Sequence, residues 1–258
     1  MRRRITAGNW KMYKTPQDTA RFFDRFKLLL DGKQGCEVVI FPAAIDIPAA
    51  VHAAAGTAIH IGGQNLYWAK EGAYTGETSA AMLNAAGATW VLVGHSERRH
   101  QVAHETDADV LKKAQAAVAV GLTPIICVGE RLEEHKAGKA HEVLVRQFAG
   151  GVAGLTEEQF AQIVIAYEPV WAIGTGHTAT PQIASDAHKL IRSEAEKRFG
   201  EEAAKRLRIL YGGSVKPDNI QGLMNEPEID GTLVGGASLD PESFAKIVEA
   251  AWKSQGPK

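Results

Sequence analysis

The sequence predicts an α/β protein that folds as a single (β/α)8 barrel over residues 1–258. Short apolar runs alternate with longer amphipathic patterns about eight times, which is typical of parallel strands joined by right-handed helical crossovers. A length of 258 residues is ordinary for eight such units. Polar or glycine-rich clusters follow six of the predicted strands, and a barrel brings all those strand ends to one face. A doubly wound open sheet is the alternative, and it would gather these clusters only by coincidence.

The predicted strands are short runs rich in β-branched and other apolar residues. They cover Ile5–Asn9, Glu37–Phe41, Ile59–Gly63, Trp90–Val93, Thr123–Val128, Ile163–Tyr167, Arg208–Tyr211 and Gly231–Val234. The clusters that follow them are Asn9 and Lys11, Gln64 and Asn65, His95–Glu97, Glu168, Gly212–Ser214, and Gly235–Gly236. No linker, low-complexity tract or change of composition marks a second domain.

Capping signals and apolar periodicity predict the helices. Thr15 is the expected N-cap of the first helix, with Pro16 at its first position, and Asp240 and Pro241 open the last helix in the same way. Further helices are expected over Ser79–Ala86, Ala108–Ala119, Arg131–Phe148 and Thr180–Phe199.

Composition and charge exclude several classes of protein. The 29 Lys and Arg residues balance 30 Asp and Glu residues, so no basic excess favours nucleic-acid binding. No apolar run approaches the ~18 residues that would predict a membrane span. The basic start, Met1–Arg4, lacks the apolar segment of a signal peptide, so we do not expect export. The two cysteines, Cys36 and Cys127, form no disulfide framework and fit a cytoplasmic protein.

A candidate catalytic base follows the sixth predicted strand. Glu168 stands where this apolar strand ends, and Pro169 directly after it cannot extend a sheet. Glycines at Gly174 and Gly176 close the segment that follows. This pattern indicates a base beneath a movable lid. A solvated glutamate beside an ordinary turn is the alternative.

A candidate electrophile follows the fourth predicted strand. His95 comes directly after this strand, and a helical turn beginning at Ser96 would aim backbone N–H groups at its imidazole. The protonated ring would then be disfavoured, and a neutral imidazole could donate to a carbonyl oxygen. The alternative is a histidine with a purely structural role in the core wall.

Groups suited to an anion lie at the first strand and the last two strands. Asn9 and Lys11 stand two residues apart and offer an amide and a positive charge to an oxyanion or phosphate. Glu97 is the expected ion-pair partner of Lys11. The glycine pairs Gly212–Gly213 and Gly235–Gly236 would let backbone N–H groups approach a phosphate. A surface lysine is the alternative for Lys11 alone.

Other polar residues carry weaker hypotheses. His100, His104 and Glu105 have a spacing that could hold a metal ion, but this region is polar and lacks a convincing third ligand, so we expect solvated side chains. Four further histidines fall in helical patterns and are predicted to lie on the surface: His52, His135, His141 and His188.

Together these motifs resemble the triosephosphate isomerase family. The matching segments are Ala7–Met12, Gly72–Glu77, Val93–Arg99, Ala166–Gly176, Tyr211–Ser214 and Leu233–Ser238. Their order and spacing extend from Gly8 through the last predicted helix.

The resemblance implies that the chain interconverts dihydroxyacetone phosphate and glyceraldehyde 3-phosphate without a metal or organic cofactor. Glu168 matches the family's base, and His95 matches its neutral electrophile. Lys11 matches the cation that stabilises the enediolate, and Asn9 matches an added oxyanion donor.

The same resemblance implies supporting and binding roles. Ser96 and Glu97 resemble residues that support the catalytic groups. The residues that match the phosphate-holding backbone are Gly174, Ser214, Gly235 and Gly236. The loop around Thr75 resembles the one that enters a partner subunit and reaches toward its Lys11. We therefore expect a cytoplasmic homodimer that binds neither nucleic acid nor membranes.

The chain departs from the family pattern at two positions. His177 occupies the end of the lid, where the family often has lysine, a difference that concerns the motion of this hinge rather than the chemistry. Ala43 stands where a second proline is common, away from the expected site.

The sequence leaves two alternative functions. Another phosphate-binding barrel, such as a lyase or synthase, would share the late glycine pairs but not the contexts of His95 and Glu168. A non-catalytic scaffold or binding protein descended from an isomerase is the second alternative. Retention of Glu168, His95 and Lys11 argues against it.

Overall fold

Eight parallel strands close into one barrel. The computed structural model describes residues 2–30, 35–174 and 178–254. The strands are β1 (Ile5–Asn9), β2 (Glu37–Phe41), β3 (Ile59–Gly63), β4 (Trp90–Val93), β5 (Thr123–Val128), β6 (Val164–Tyr167), β7 (Arg208–Tyr211) and β8 (Gly231–Val234). They follow one another in chain order, and β8 pairs with β1. The barrel prediction is confirmed, and the open sheet is wrong.

Helices cover the outside of the barrel. They are α1 (Pro16–Leu30), α2 (Ile47–Ala54), α3 (Ala80–Ala85), α4 (Asp107–Ala119), α5 (Leu132–Lys136), α6 (Ala140–Val152), α7 (Glu157–Phe160), α8 (Pro181–Phe199), α9 (Glu201–Arg206), α10 (Ile220–Met224) and α11 (Pro241–Lys253). The proline starts of α1 and α11 are as predicted, and Asp240 accepts a hydrogen bond from the Ser243 N–H at 2.8 Å. In the described chain, no helix has the length and apolarity needed to cross a membrane.

Two groups of helices differ from the prediction. The single helix expected over Arg131–Phe148 is two helices, α5 and α6. Gly138 separates them because it adopts a left-handed φ of 68°, which ends a helix readily only at glycine. Four helices were not predicted, namely α2, α7, α9 and α10. The last three have only 4, 6 and 5 residues, too few to show a period.

The core has two layers, because successive side chains of a strand point to opposite faces. An inner group of side chains fills the barrel: Ile5, Ala7, Val39, Phe41, Trp90, Leu92, Ile125, Cys127, Val164, Ala166, Leu210 and Leu233. The larger outer group packs the strands against the helices. The inner layer forms a solid floor beneath the carboxyl ends of the strands, so the chemistry is confined to the rim.

A buried arginine joins the ends of two strands to a helix. Arg99 Nε donates to the carbonyl of Gly94, Nη2 donates to the carbonyl of Cys127, and Nη1 donates to Asp107, at 2.8, 3.1 and 2.7 Å. The side chain is thus structural, and it fixes the loop that carries His95.

One histidine differs from its predicted surface position. His188 lies on the buried face of α8 and is 0% exposed. Its Nδ1 lies 3.1 Å from the carbonyl oxygen of Glu228. Burial lowers the pKa of His188 to about 3. The error arose because a helical pattern rich in charges does not show which of its polar residues faces inward.

Candidate active site

A cleft of about 260 Å³ opens at the carboxyl ends of the strands. The predicted site residues that line it are Asn9, Lys11, His95, Glu168, Gly174, Ser214, Gly235 and Gly236. Five strands deliver these side chains and loops, and the inner core layer closes the cleft from below. The structure therefore brings residues up to 227 positions apart, Asn9 and Gly236, into one small site.

The Glu168 carboxylate lies at the end of β6 and is 2% exposed. Its Oε1 is 3.0 Å from Nε2 of His95, and its Oε2 accepts the backbone N–H of Ser96 at 2.9 Å. Burial alone would raise the pKa of Glu168, but His95, the Ser96 N–H and Lys11 together lower it below its ordinary value. The carboxylate is therefore ionised at neutral pH, as a base must be.

The His95 ring is held through both of its nitrogens. Nδ1 accepts the backbone N–H of Glu97 at 3.2 Å, so the proton of a neutral ring lies on Nε2, facing Glu168. Burial alone would lower the pKa of His95, but the carboxylates of Glu168 and Glu97 raise it. The two carboxylates favour the protonated ring, whereas the Glu97 N–H that donates to Nδ1 favours the neutral ring. We take the ring as neutral, because an imidazolium could not accept at Nδ1.

Lys11 follows β1 with a backbone φ of 53°, a left-handed conformation that is unfavourable for a lysine. Asn9 Oδ1 accepts the Lys11 N–H at 3.0 Å, and Gln64 Nε2 donates to the Lys11 carbonyl at 2.7 Å. The ammonium pairs with Glu97 at 2.7 Å, the partner expected from the sequence. These contacts hold a strained backbone and aim a positive charge along the cleft.

Another part of the cleft wall, next to Lys11, is formed by backbone. Gly235 precedes a 3₁₀ turn at Gly236–Ser238, and the first N–H groups of such a turn have no partner within it. A Cβ added at Gly236 would meet open space, and one at Gly235 would lie 3.6 Å from Cε of Lys11. Ser214 borders the same region. N–H groups near a lysine suit a bound phosphate.

The segment after Glu168 begins with a short 3₁₀ turn at Val170–Ala172. Val170 N–H donates to the Glu130 carbonyl at 3.0 Å, and the Trp171 indole donates to the Glu130 carboxylate at 2.6 Å. Gly174 follows with a φ of 68°. The last residues of the expected lid, 175–177, lie outside the described residues, so the hinge at His177 stays a prediction.

Three supporting residues were missed from the sequence: Gln64, Glu130 and Gln147. Gln64 belongs to a polar cluster at a strand end, which is the signal that could have assigned it a role. Glu130 has a similar signal, since it stands two residues after the end of β5 and is buried. Gln147 lies within α6 and gave no signal, because its partner is the backbone of residue 129.

Two further predictions concern residues outside the cleft. The expected solvation is wrong for Glu105, which is buried and pairs with Arg98 and Lys113, each at 2.6 Å. Within residues 2–30, 35–174 and 178–254, no three acidic, histidine or cysteine side chains are grouped as metal ligands would be. Thr75 is exposed and is not among the residues that line the cleft of its own chain.

Comparison with known proteins gives one family. The family model described as triosephosphate isomerase matches residues 4–251. The triosephosphate isomerase of Solibacter usitatus is 60% identical over 248 residues, which is 96% of this chain and 99% of the relative. That of Citrifermentans bemidjiense is 50% identical over 96% of this chain and 98% of its own. A solved triosephosphate isomerase from Bartonella henselae superposes with a TM-score of 0.86 at 41% identity and covers 96% of this chain and 98% of its own.

Proposed function

Because this chain belongs to the triosephosphate isomerase family, we propose that Glu168, His95, Lys11 and Asn9 carry out its reaction. That reaction interconverts dihydroxyacetone phosphate and D-glyceraldehyde 3-phosphate, a step of glycolysis and gluconeogenesis. One observation carries the proposal: an ionised carboxylate and an imidazole lie 3.0 Å apart in a cleft that also contains a lysine.

Glu168 is the base of the proposed mechanism. It removes a proton from the carbon beside the substrate carbonyl and returns it to the neighbouring carbon. In the described structure its two oxygens are occupied by His95 and the Ser96 N–H. The side chain must therefore turn from these partners to reach substrate. The lowered pKa keeps it ionised until then.

His95 polarises the substrate carbonyl and moves protons between the two oxygens. When Glu168 turns to the substrate, the carboxylate that most raises the pKa of His95 moves away from the ring. Burial and the Glu97 N–H on Nδ1 then favour a neutral imidazole with its proton on Nε2. A neutral donor matches the enediol(ate) oxygens better than a strongly acidic imidazolium would.

Lys11 and Asn9 stabilise negative charge on the intermediate. Lys11 supplies a fixed ammonium held by Glu97, and Asn9 supplies an amide at the same end of β1. A preorganised charge of this kind acts strongly in a cleft from which water is excluded.

The substrate phosphate binds to the backbone side of the cleft. Its proposed contacts are the backbone groups of Gly174, Ser214, Gly235 and Gly236. Gly174 belongs to the lid, so phosphate binding and lid closure are coupled. Closure excludes water and limits loss of phosphate from the reactive intermediate.

The proposed working form is a cytoplasmic homodimer of single-domain subunits that take the small triose phosphates as substrates. The exposed loop that carries Thr75 supports a dimer, because it does not line the cleft of its own subunit. In the dimer it would reach Lys11 of the partner subunit. The balanced charge of 29 basic and 30 acidic residues supports the absence of nucleic-acid partners.

The substitution His95→Gln tests the mechanism. It keeps a hydrogen-bond donor but removes the group that exchanges protons, so kcat should fall by about 10²–10⁴-fold. His104→Gln is the matched control, because His104 is exposed and lies outside the cleft. Equal kcat for the two variants would remove His95 from its role. A folded parent without isomerase activity would favour the scaffold alternative.

A further inference from the structure

Gln147 is a buried amide that the proposed mechanism does not use. It lies in α6, is 2% exposed, and does not line the cleft. Both ends of its side chain bind one residue of the β5–α5 connection. Its Oε1 accepts the Gly129 N–H at 2.7 Å, and its Nε2 donates to the Gly129 carbonyl at 3.3 Å. A backbone N–H only donates and a carbonyl only accepts, so the orientation of the amide is determined.

Gly129 lies directly against the backbone of the base. A Cβ added at Gly129 would lie 1.7 Å from the carbonyl oxygen of Glu168 and 2.5 Å from its carbonyl carbon. These Glu168 atoms belong to the main chain, so they cannot move aside by rotation of a side chain. A displacement of the Gly129 peptide therefore displaces the backbone of Glu168 as well.

The two neighbours of Gly129 hold the base and the start of the lid. The Val128 carbonyl accepts the Glu168 N–H at 2.7 Å, and the Glu130 carbonyl accepts the Val170 N–H at 3.0 Å. The Glu130 carboxylate also accepts the Trp171 indole at 2.6 Å. Residues 128–130 thus form one strip of backbone against which Glu168 and the first lid turn are placed.

We propose that Gln147 is a positioning residue for the isomerisation, which acts through Gly129 to set the position of Glu168 and of the lid's first turn. This inference rests on the proposed role of Glu168 as the base. A displacement of about 1 Å at a reacting group can lower a rate by about 10²-fold. The loss of either hydrogen bond between Gln147 and Gly129 therefore has a catalytic effect beyond its effect on stability.

Two variants at this position separate the contributions. Gln147→Met has a similar length and removes both hydrogen bonds. Gln147→Glu keeps the acceptor for the Gly129 N–H but faces the Gly129 carbonyl with a second oxygen. That oxygen becomes a donor only when the carboxyl is protonated, and burial raises the pKa of such a group.

Phe148→Leu is the matched control. Phe148 is the next residue of α6 and is 1% exposed, so its truncation loosens the same helix. The Phe148→Leu substitution leaves both hydrogen bonds between Gln147 and Gly129 in place. We measure the melting temperature, kcat and KM of all three variants and the parent. We also measure the fraction of turnovers that release methylglyoxal, the product formed when the intermediate loses its phosphate.

For Gln147→Met we expect kcat to fall by about 10–100-fold with a smaller change of KM, and the methylglyoxal fraction to rise. Phe148→Leu should lower the melting temperature without these changes. For Gln147→Glu the ratio of its kcat to that of the parent should increase as the pH is lowered. If Gln147→Met does not fold, the ratio of the kcat of Gln147→Glu to that of the parent tests the proposal by itself. A ratio that does not change with pH overturns the proposal.

The proposal is also overturned if Gln147→Met lowers kcat no more than Phe148→Leu does, since the role would then be structural. Glu168→Gln, measured in parallel, keeps the two proposals apart. Full activity of Glu168→Gln would overturn the proposed function whatever the result at Gln147. Loss of activity in Glu168→Gln with normal kcat in Gln147→Met would overturn only the present inference.

Discussion

The partners of Glu168 show how a residue can be both buried and reactive. A carboxylate that is 2% exposed would ordinarily tend toward its neutral form. Here the His95 imidazole and the Ser96 N–H replace the water that burial removes. Both partners belong to the loop after β4, so substrate has only to replace the contacts of one loop for the base to act.

At the same scale, the residues that sequence could predict share one property. Glu168 and His95 interrupt strand ends that are otherwise apolar, so they stand out against their neighbours. Gln64 and Gln147 bind backbone groups, and the sequence does not show which backbone group a polar side chain reaches. Gln147 donates to residue 129, 18 positions away, a pairing that arises where α6 packs beside the end of β5.

His188 makes stability depend on pH. Its pKa of about 3 lies far below the ordinary value of about 6.5, so between these pH values the unfolded chain binds a proton that the folded chain does not. Stability from this residue is complete above about pH 6.5 and should fall by up to about 1.4 kcal/mol per pH unit as the pH is lowered toward 3.

Urea unfolding at several pH values measures this effect in the parent and in His188→Asn. The variant removes the titrating group, so its stability should decline less steeply between pH 6.5 and 4. His141→Asn is the control, because His141 is exposed. Equal slopes of stability against pH for the parent and His188→Asn would contradict the lowered pKa of His188 in the folded state.

At the scale of elements, the lid begins on a rigid support. Its first turn is bound to the Glu130 backbone and carboxylate, and the Trp171 ring stacks on His135 with centroids 4.4 Å apart. We therefore expect this end of the proposed lid to stay in place during closure.

Shortening the loop between Pro169 and Gly176 tests the role of the lid. A shorter loop cannot cover the enediolate, so water enters and phosphate leaves more readily. We expect slower isomerisation and more methylglyoxal per turnover. The isomerised triose phosphate and methylglyoxal are both measured in the same reaction mixture. A truncated variant that isomerises slowly but releases no additional methylglyoxal would contradict this role.

Prediction of the elements succeeded where local signals were strong. The strands matched closely because apolar runs between turns are distinctive, and only β6 begins one residue later than expected. The break at Gly138 and the short helices were missed, because they depend on a single backbone conformation or on tertiary packing. Helix α2 has an apolar sequence, IPAAVHAA, without a polar face to reveal its period.

At the scale of the whole molecule, large apolar side chains are exposed in the segments that follow the first four strands. Met12 follows β1, Ile45 follows β2, Met82 lies in α3 after β3, and Val102 follows β4; they are 93%, 75%, 53% and 70% exposed. Thr75 belongs to the segment after β3 as well. Apolar exposure concentrated on such segments is typical of an interface with another protein.

We therefore expect a homodimer at micromolar concentration, measured by sedimentation equilibrium. Val102→Asp places a charge on the proposed interface, so it should weaken the dimer and lower activity through loss of Thr75 from the partner's site. Ile183→Asp is the matched control, since Ile183 is also an exposed apolar residue, at 38%, but lies on α8, after β6. A monomeric mass with full activity would contradict the dimer.

The most direct test of the account is the kcat of Glu168→Gln in a coupled assay with glyceraldehyde 3-phosphate. The amide preserves the size of the side chain but cannot remove a proton, so kcat should fall by about 10²–10⁴-fold while the circular dichroism spectrum is unchanged. Glu37→Gln is the control, because this carboxylate lies at the start of β2, at the opposite end of the barrel, and should leave kcat unaffected. Equal kcat for Glu168→Gln and the parent would contradict the account.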